Sequence, residues 1–349
     1  MPVFDVPTTL SRALVLTILL APCWPLPAVA QYGWSVGHDG AIIHTNDGGT
    51  TWSSQVSGVS TVLFDVDFIS PELGWAVGQS GTLLHTSDGG VTWSSQVSGT
   101  TRGLRATHFA DAANGWAVGN NGTLLHTSDG GVTWSAQVSG TQTLRGVSFV
   151  DASTGWAVGR DGAIIHTTDG GATWSPQASG VLTTLRDVHF FDHARGLACG
   201  HEGTLLSTND GGSSWTARAS GVTSQLEAVR LVDAVTGWVF GELVVLKTTD
   251  GGVTWSPQNP ATPGRLWVDG AFVDASTGWS VDSGGGLIQV TSDGGATWTL
   301  QTSPVSVGLH AVDFLTADEV GELPVPLPPS ALALLAALVA ASAVVLLRR

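Results

Sequence analysis

One motif, D-G-G-x-[ST]-W, recurs seven times along this chain, at intervals of 40 to 43 residues. A fixed period of about 40 residues is typical of propellers and solenoids, in which each repeat is one small sheet that packs on its neighbours. The period therefore predicts a repeat protein, and it constrains the fold more than any other feature of the sequence. The acidic positions of the motif are Asp47, Asp88, Asp129, Asp169, Asp210, Asp250 and Asp293.

Each repeat contains four short segments that are typical of β-strands. In the repeat around Asp169 these segments are residues 144–149, 156–158, 163–167 and 172–177, and glycine-containing turns separate them. Short runs of β-branched and aromatic residues between Gly, Asp and Asn clusters indicate strands and hairpins. The repeat is therefore predicted to be a four-stranded antiparallel sheet, and the fold class to be all-β.

The two ends of the repeat region complement each other. Residues 33–37 are a second strand without a first strand before it, and residues 309–314 are a first strand without a sheet after it. We therefore predict a seven-bladed β-propeller in which the C-terminal strand completes the N-terminal blade, because closure removes exposed sheet edges. An open β-solenoid is the alternative. The predicted first strands begin at Leu63, Leu104, Leu144, Leu185, Leu226, Leu266 and Leu309.

The repeated motif has a structural explanation within its own turn. An Asp side chain accepts hydrogen bonds from the backbone just downstream, and Gly adopts positive φ without steric cost. The Trp that follows supplies a large apolar surface for packing. A Ca²⁺ or ligand site is the alternative, and one carboxylate per turn is too few oxygen ligands for it. The tryptophans of the motif are Trp52, Trp93, Trp134, Trp174, Trp215, Trp255 and Trp298.

These motifs resemble the bacterial neuraminidase repeat, or Asp-box, which lies between the third and fourth strands of propeller blades. The longer unit, with G-W-A-V-G and L-x-x-V-x-F added, resembles the photosystem II assembly and stability factor family. That resemblance covers residues 32–314 and implies a luminal seven-bladed propeller that acts in assembly. Because one fold hosts many functions, the resemblance is more specific for fold than for function.

The segments that flank the repeats indicate export. Residues 1–30 are predicted to be a secretory signal, with an apolar run at 13–21 and an A-x-A-like cleavage site at 28–30. A lipoprotein box at Cys23 is the alternative. The propeller is assigned to residues 31–318 and a proline-rich spacer to residues 319–329.

Residues 330–349 are predicted to form a C-terminal transmembrane or sorting helix. An uncharged apolar run of 18 residues ends in Arg348 and Arg349, as expected of a short membrane span with a cytoplasmic anchor. With the V-P-L-P string at 325–328, this tail resembles the PEP-CTERM sorting signal. The resemblance implies a Gram-negative cell envelope, at least transient membrane anchoring, and an exosortase-type processing enzyme as a partner. A plain C-terminal membrane anchor is the alternative.

Charge and cysteine content exclude some functions. The formal net charge is −15, which argues against nucleic acid, because cationic contacts to phosphate dominate that binding. Removal of the signal would leave Cys199 as the single cysteine, so no intrachain disulfide is expected. The sequence contains no metal-ligating spacing of Cys and His, and we expect a monomer without a cofactor.

Three arginines recur at one register of consecutive repeats. Arg105, Arg145 and Arg186 each follow the leucine that begins a predicted first strand. They are expected to form a cationic arc on one face, where guanidinium groups grip a carboxylate bidentately. Solubility and packing of the arginine stems are the alternative. The other repeats place Phe64, Glu227, Trp267 and His310 at this register.

Catalysis is not expected. Enzymes of sialidase type share the blade motif and use a Tyr nucleophile with a Glu partner, but the single tyrosine here, Tyr32, precedes the first blade strand. The histidines at the third-strand register, His44, His85, His126 and His166, belong to different blades and need not converge on a metal. The sequence therefore favours an exported, non-catalytic scaffold that binds a protein or an extracellular polysaccharide. A glycan-active hydrolase is the alternative, and a photosystem assembly role is a narrower possibility.

Overall fold

The computed structural model describes residues 31–140 and 142–320. In this part of the chain, twenty-eight strands form seven four-stranded antiparallel sheets. The predicted all-β propeller with four-stranded blades is confirmed. The predicted signal, most of the spacer and the predicted C-terminal helix lie outside the described residues. No helix within the described ranges is long and apolar enough to cross a membrane.

In blades 2 to 7 the strands run in sequence order from the channel to the rim, whereas the innermost strand of blade 1 is the last described strand of the chain. The innermost strands are β4 (Leu63–Phe68), β8 (Leu104–Phe109), β12 (Leu144–Phe149), β16 (Leu185–Phe190), β20 (Leu226–Leu231), β24 (Trp267–Phe272) and β28 (Leu309–Phe314). The second strands are β1 (Gly33–Gly37), β5 (Gly74–Gly78), β9 (Gly115–Gly119), β13 (Gly155–Gly159), β17 (Gly196–Gly200), β21 (Gly237–Gly241) and β25 (Gly278–Asp282).

The two outer strands of each blade flank the D-G-G turn. The third strands are β2 (Ile42–Thr45), β6 (Leu83–Thr86), β10 (Leu124–Thr127), β14 (Ile164–Thr167), β18 (Leu205–Thr208), β22 (Val244–Thr248) and β26 (Ile288–Thr291). The rim strands are β3 (Ser53–Gln55), β7 (Ser94–Ser95), β11 (Ser135–Ala136), β15 (Ser175–Gln177), β19 (Thr216–Arg218), β23 (Ser256–Gln258) and β27 (Thr299–Gln301).

Helical structure in the described ranges is limited to short segments. Single 3-10 turns join the second and third strands of blades 1 to 5, and one short α-helix, α1 (Ala317–Val320), follows the last strand. The 3-10 turns are His38–Gly40, Gln79–Gly81, Asn120–Gly122, Arg160–Gly162 and His201–Gly203.

The ring closes as the sequence predicts. Strand β28 pairs antiparallel with β1, with Gly33 opposite Phe314 and Trp34 opposite Asp313. Blade 1 therefore consists of β28, β1, β2 and β3 in that order. Blades 2 to 7 follow in chain order, each with its four strands consecutive in sequence.

The core lies between blades, where aromatic rings stack across six of the seven interfaces of the described propeller. The Trp of one second strand lies parallel to the Phe that ends the next blade's innermost strand, as for Trp116 and Phe149, whose ring centroids are 3.5 Å apart. The same Trp donates its Nε1 hydrogen to the D-G-G turn of the next blade, as in the 3.1 Å bond from Trp116 to the carbonyl oxygen of Gly170. Each interface of this kind thus combines apolar burial with a directional bond.

A rim glutamine adds a second link between blades. In blade 4, Gln177 Nε2 donates to the carbonyl oxygen of Gly211 in blade 5 at 2.9 Å. Its Oε1 accepts the Nε1 hydrogen of Trp215, also in blade 5, at 3.2 Å. Both links are absent between blades 5 and 6 of the described propeller, where Leu197 and Arg218 replace the Trp and the Gln. This interface is aliphatic, with Leu197 and Leu231 in one cluster.

The register of blade 7 differs from the prediction. Its innermost strand begins at Trp267 and not at Leu266, which forms only an isolated bridge with Glu242. Trp267 pairs with Asp282 as Leu144 pairs with Gly159, so the indole fills the position of the buried leucine. Counting back from Phe272, which ends the L-x-x-V-x-F pattern, would have identified this start.

Candidate binding site at the mouth of the central channel

The innermost strands surround a central channel, and a register irregularity near their start brings two adjacent residues into it. In β12 the irregularity lies between Leu144 and Gly146, and the equivalent position recurs in the innermost strands of blades 2 to 7. A bulge of this kind places two residues of one strand against one of its partner. The two adjacent residues of the innermost strands therefore both line one cavity of about 200 Å³.

The first of the two positions forms the mouth ring, and the second forms the floor ring. The mouth ring consists of Phe64, Arg105, Arg145, Arg186, Glu227, Val268 and His310. The floor ring includes Asp65, Ala106, Asp187, Ala228, Asp269 and Ala311, with Arg230 beside it.

Six of the seven residues predicted for the mouth lie together there, and Trp267 does not. The indole of Trp267 is fully buried and packs in a cluster with Phe240 and Phe272. The one-residue difference in the start of β24 is the physical reason, because a shift by one residue moves a side chain to the other face. Val268 therefore lines the cavity at the predicted position of Trp267.

Two of the three arginines have no carboxylate contact within the described residues. Arg105 donates from Nε to Asn120 Oδ1 at 3.2 Å, and its guanidinium carbon lies 4.2 Å from the centroid of the Phe64 ring. The Nε atom of Arg145 is buried without a partner in the described structure. Burial and the neighbouring Arg186 lower the pKa of both side chains, to about 10 for Arg145. The mouth thus holds cationic charge that an anion would neutralise.

The third arginine is paired. Arg186 donates from Nε to Glu227 Oε2 at 2.6 Å, and a second guanidinium nitrogen contacts the same oxygen. Gln225 Nε2 donates to the other oxygen of Glu227. The Glu227 side chain is only 7% exposed, so the pair lies largely out of water.

The other side of the mouth is aromatic. The His310 ring centroid lies 4.7 Å from that of His38 and 5.7 Å from that of Phe64. Burial, with a contribution from His38, lowers the pKa of His310 to about 4. His310 is therefore neutral at pH 7, and the mouth divides into an aromatic side and a cationic side.

The carboxylates of the floor bond to the backbone of neighbouring blades. Thr107 N donates to Asp65 Oδ2 at 2.8 Å, Val229 N to Asp187 Oδ2 at 3.0 Å, and Val312 N to Asp269 Oδ2 at 3.0 Å. An innermost strand has no further strand beyond it, so these side chains satisfy backbone donors that would otherwise be unpaired. The sequence prediction did not include these residues, although polar side chains in otherwise apolar strands were a visible signal.

One arginine balances part of this buried charge. Arg230 donates to Asp187 Oδ2 at 2.5 Å and to Asp269 Oδ1 at 2.8 Å. Burial raises the pKa of Asp269 to about 6, although Arg230 opposes the shift. Burial also raises the pKa of Asp65 well above its usual range. The floor therefore contains an ionic network between blades 5, 6 and 7, whereas Asp65 of blade 2 bonds to the backbone of blade 3.

Two further carboxylates lie deeper in the channel. Phe109 N donates to Asp67 Oδ2 at 2.5 Å, and Phe68 N donates to Asp313 Oδ2 at 2.8 Å. Burial raises the pKa of Asp67 to about 7, and burial together with Asp67 raises the pKa of Asp313 strongly. These groups, too, link the innermost strands of adjacent blades.

The seven D-G-G motifs lie far from the channel, at the turn between the third and rim strands. In the third blade, Asp129 Oδ1 accepts the Thr133 backbone hydrogen at 2.8 Å, and Oδ2 accepts the Thr133 hydroxyl hydrogen at 2.6 Å. These bonds, that of the Thr133 hydroxyl first, lower the pKa of Asp129 to about 2. Both carboxylate oxygens of Asp129 therefore accept hydrogen bonds from residues of the same turn.

The repeated histidines pack on tryptophans. His126 stacks on Trp116 with ring centroids 4.9 Å apart, and His44 and His166 do the same on Trp34 and Trp156. Each His lies opposite its Trp in the strand pair, so the rings remain within their own blades. Within the described ranges no group of three or more His, Cys, Asp or Glu side chains is arranged to hold a metal.

The fold and the mouth together define a seven-bladed propeller of BNR-type repeats with a cationic channel entrance. The sequence matches the family described as "Photosynthesis system II assembly factor YCF48" at residues 28–94, 55–139 and 178–265, which together cover more than half of the chain. This chain therefore belongs to that family. No curated protein matches the sequence.

Solved structures of similar fold include assembly factors and an enzyme. YCF48 from Cyanidioschyzon merolae is 24% identical over 71% of this chain and 87% of its own, with a TM-score of 0.59. "YCF48 bound to D1 peptide" is 20% identical over 77% of this chain and 91% of its own, with a TM-score of 0.58. The GH74 xyloglucanase from Xanthomonas campestris is 14% identical over 79% of this chain and 53% of its own, with a TM-score of 0.62. At these identities the likeness shows the fold alone.

Proposed function

We propose that this chain is an exported, envelope-associated, non-catalytic propeller that binds a carboxylate-bearing protein segment at the channel mouth. The observation that carries the proposal is the pair Arg105 and Arg145, two guanidinium groups without a carboxylate partner among the described residues of a chain of net charge −15. Cations that are partly desolvated and unpaired are costly, so a bound anion would stabilise them.

The size of the cavity limits what enters it. A volume of about 200 Å³ lies below the roughly 300–1,000 Å³ that is usual for small-molecule sites. We infer that the partner lies across the face of the propeller and inserts one anionic group, such as an acidic side chain or a chain terminus. The solved YCF48 bound to a D1 peptide supports a peptide over a polysaccharide as the partner.

Binding measurements on the full-length protein test this proposal. Proteins captured from the native envelope are compared for the wild type and the double variant Arg105→Gln, Arg145→Gln, with Arg218→Ala on the rim as the control. Loss of charge-assisted hydrogen bonds is expected to weaken capture about tenfold or more in the double variant only. Capture of the same partners in equal amounts by all three proteins would exclude the mouth as the binding site. Capture of a polysaccharide instead of a protein would show that the proposed class of partner is wrong.

The cellular part of the proposal depends on the sequence of the two ends. The resemblance of residues 325–349 to a PEP-CTERM signal supports transient membrane anchoring and processing by an exosortase-type enzyme. Fractionation of cells that express the full chain, or a chain ending at residue 320, tests it. The shortened chain is expected to leave the membrane fraction, and equal membrane association of both would contradict the anchor.

A glycan-active hydrolase is the second candidate, because carboxylates converge at the floor of the cavity. The pKa of Asp269, about 6, lies where a general acid operates. However, Asp65, Asp187 and Asp269 each accept a backbone hydrogen, and Tyr32 stacks near Trp34 outside the cavity lining. Release of reducing sugar from sialosides or xyloglucan by the purified protein, lost in Asp269→Asn, would favour the hydrolase.

A further inference from the structure

The three arginines of the mouth are not equivalent, because one is already occupied by a carboxylate of the protein. Arg186 directs Nε and a terminal nitrogen at Glu227 Oε2, whereas Arg105 and Arg145 contact no carboxylate within the described residues. Arg186 belongs to blade 5 and Glu227 to blade 6, so the pair joins neighbouring positions of the mouth ring.

Glu227 is held in this place from a second side. Gln225, just before β20, donates from Nε2 to Glu227 Oε1, so that both carboxylate oxygens have donors. The side chains of Arg186 and Glu227 are 23% and 7% exposed. A carboxylate that is buried and bonded at both oxygens has a fixed position, and this one lies in the cavity lining beside Arg145.

We propose that Glu227 is a built-in competitor for the anion-binding mouth. Its carboxylate takes the donors of Arg186 that an incoming carboxylate would use, and leaves Arg105 and Arg145 as the open contacts. A ligand therefore binds with two arginines, or it displaces Glu227 and gains the third. The glutamate thereby sets the affinity of the mouth and its preference for strongly anionic ligands. This inference rests on the proposed function.

Physical reasoning gives the direction and the size of the effect. Replacing Glu227 by Gln weakens the competing acceptor, because an amide oxygen binds a guanidinium less strongly than a carboxylate does, and it removes the negative charge that repels an incoming anion at short range. Each charge-assisted hydrogen bond gained by a ligand is worth roughly a tenfold change in affinity or more. The variant Glu227→Gln is therefore expected to bind anionic ligands about tenfold more tightly than the wild type.

Two measurements on the full-length protein test the role of Glu227 separately from the binding of anions at the mouth. The first is the rate at which phenylglyoxal modifies Arg186, read by peptide mass spectrometry, which needs no ligand. The second is the affinity for a fluorescein-labelled tetra-alanine peptide with a free terminal carboxylate, with the peptide amide for comparison. The variants are Glu227→Gln, the Arg105→Gln, Arg145→Gln pair, and Glu72→Gln. The last removes the same charge from an exposed turn at the opposite end of the strands.

Faster modification of Arg186 and about tenfold tighter peptide binding in Glu227→Gln alone would support the competitor. Unchanged modification of Arg186 would overturn it, as would equal peptide affinity in the wild type and Glu227→Gln. If Arg186 is modified faster in Glu227→Gln but neither this variant nor the wild type binds the peptide, the proposed function is overturned. The role of Glu227 as a competitor is then overturned with it. If Glu227→Gln unfolds, Gln225→Ala keeps both charges but frees one oxygen of Glu227. That variant is expected to shift affinity in the same direction by a smaller factor, and no shift would overturn the inference.

Discussion

The rim glutamines provide a test of how the blades are held together. Gln177 and Gln258 occupy the same position of their rim strands, each after Ser and Pro. Gln177 bonds to Gly211 and Trp215 of the next blade, whereas Gln258 bonds only to its own strand. We therefore expect Gln177→Ala to destabilise the protein and Gln258→Ala to change little.

The magnitude follows from the two bonds. Each neutral hydrogen bond contributes about 0.5–1.5 kcal/mol, so their sum is about 1–3 kcal/mol. The carbonyl oxygen of Gly211 keeps its 3.1 Å bond from Trp156, and Trp215 is only half-buried, so water replaces part of the loss. We expect a loss of about 1–2 kcal/mol in the free energy of unfolding, which corresponds to about 2–8 °C in melting temperature.

Differential scanning calorimetry of the wild type and the two variants measures this difference. The control shares the residue type, the two preceding residues and a similar partial burial, so general effects of a Gln→Ala change on the rim cancel. Equal melting temperatures for Gln177→Ala and Gln258→Ala would refute the reasoning that the interblade bonds of the rim stabilise the ring.

Three further predictions follow from the channel and the blade interfaces. Because the pKa of Asp67 is raised by burial to about 7 in the folded protein and is about 3.9 when unfolded, stability should fall as pH rises from about 4 to about 7. Thermal melts between pH 4.5 and 8 should show a shallower fall in Asp67→Asn, and parallel profiles would contradict the assignment. Gly155→Ala would place a Cβ 2.4 Å from the Phe149 ring, so we expect a loss of about 1–3 kcal/mol in urea denaturation, and an unchanged midpoint would contradict the packing. A chain that ends at residue 308 lacks β28 and leaves β1 without its inner partner, so we expect rapid cleavage near residue 33 in limited proteolysis, whereas the full chain should resist it.

The repeats explain why the fold was predictable from the sequence. Strand, turn and strand are neighbours in each period of about 40 residues, and the turn bonds of Asp129 involve residues within four positions of it. Local chemistry of this kind is visible in a sequence pattern. The missing first strand before residue 33 and the extra strand at Leu309–Phe314 predicted the closure in the same way.

The position of blade 7's innermost strand was less predictable, because two apolar residues, Leu266 and Trp267, compete for one buried position. The larger indole fills the space between Phe240 and Phe272, and this packing sets the start of β24. A leucine-based alignment of the repeats favours the wrong residue, and only the fit of the side chains across the interface decides between them.

By itself, the amino-acid sequence determined the number of blades, the turn motifs, the closure of the ring and the presence of three arginines at one register. Only the tertiary structure decided that Arg186 is paired with Glu227 while Arg105 and Arg145 contact no carboxylate of the described residues, and that Asp65, Asp187 and Asp269 bond to backbone hydrogens of other blades. The physical reason is distance along the chain. Blade formation depends on contacts within one repeat, whereas the channel is made by side chains about 40 residues apart, whose charges and packing are settled only when the ring closes.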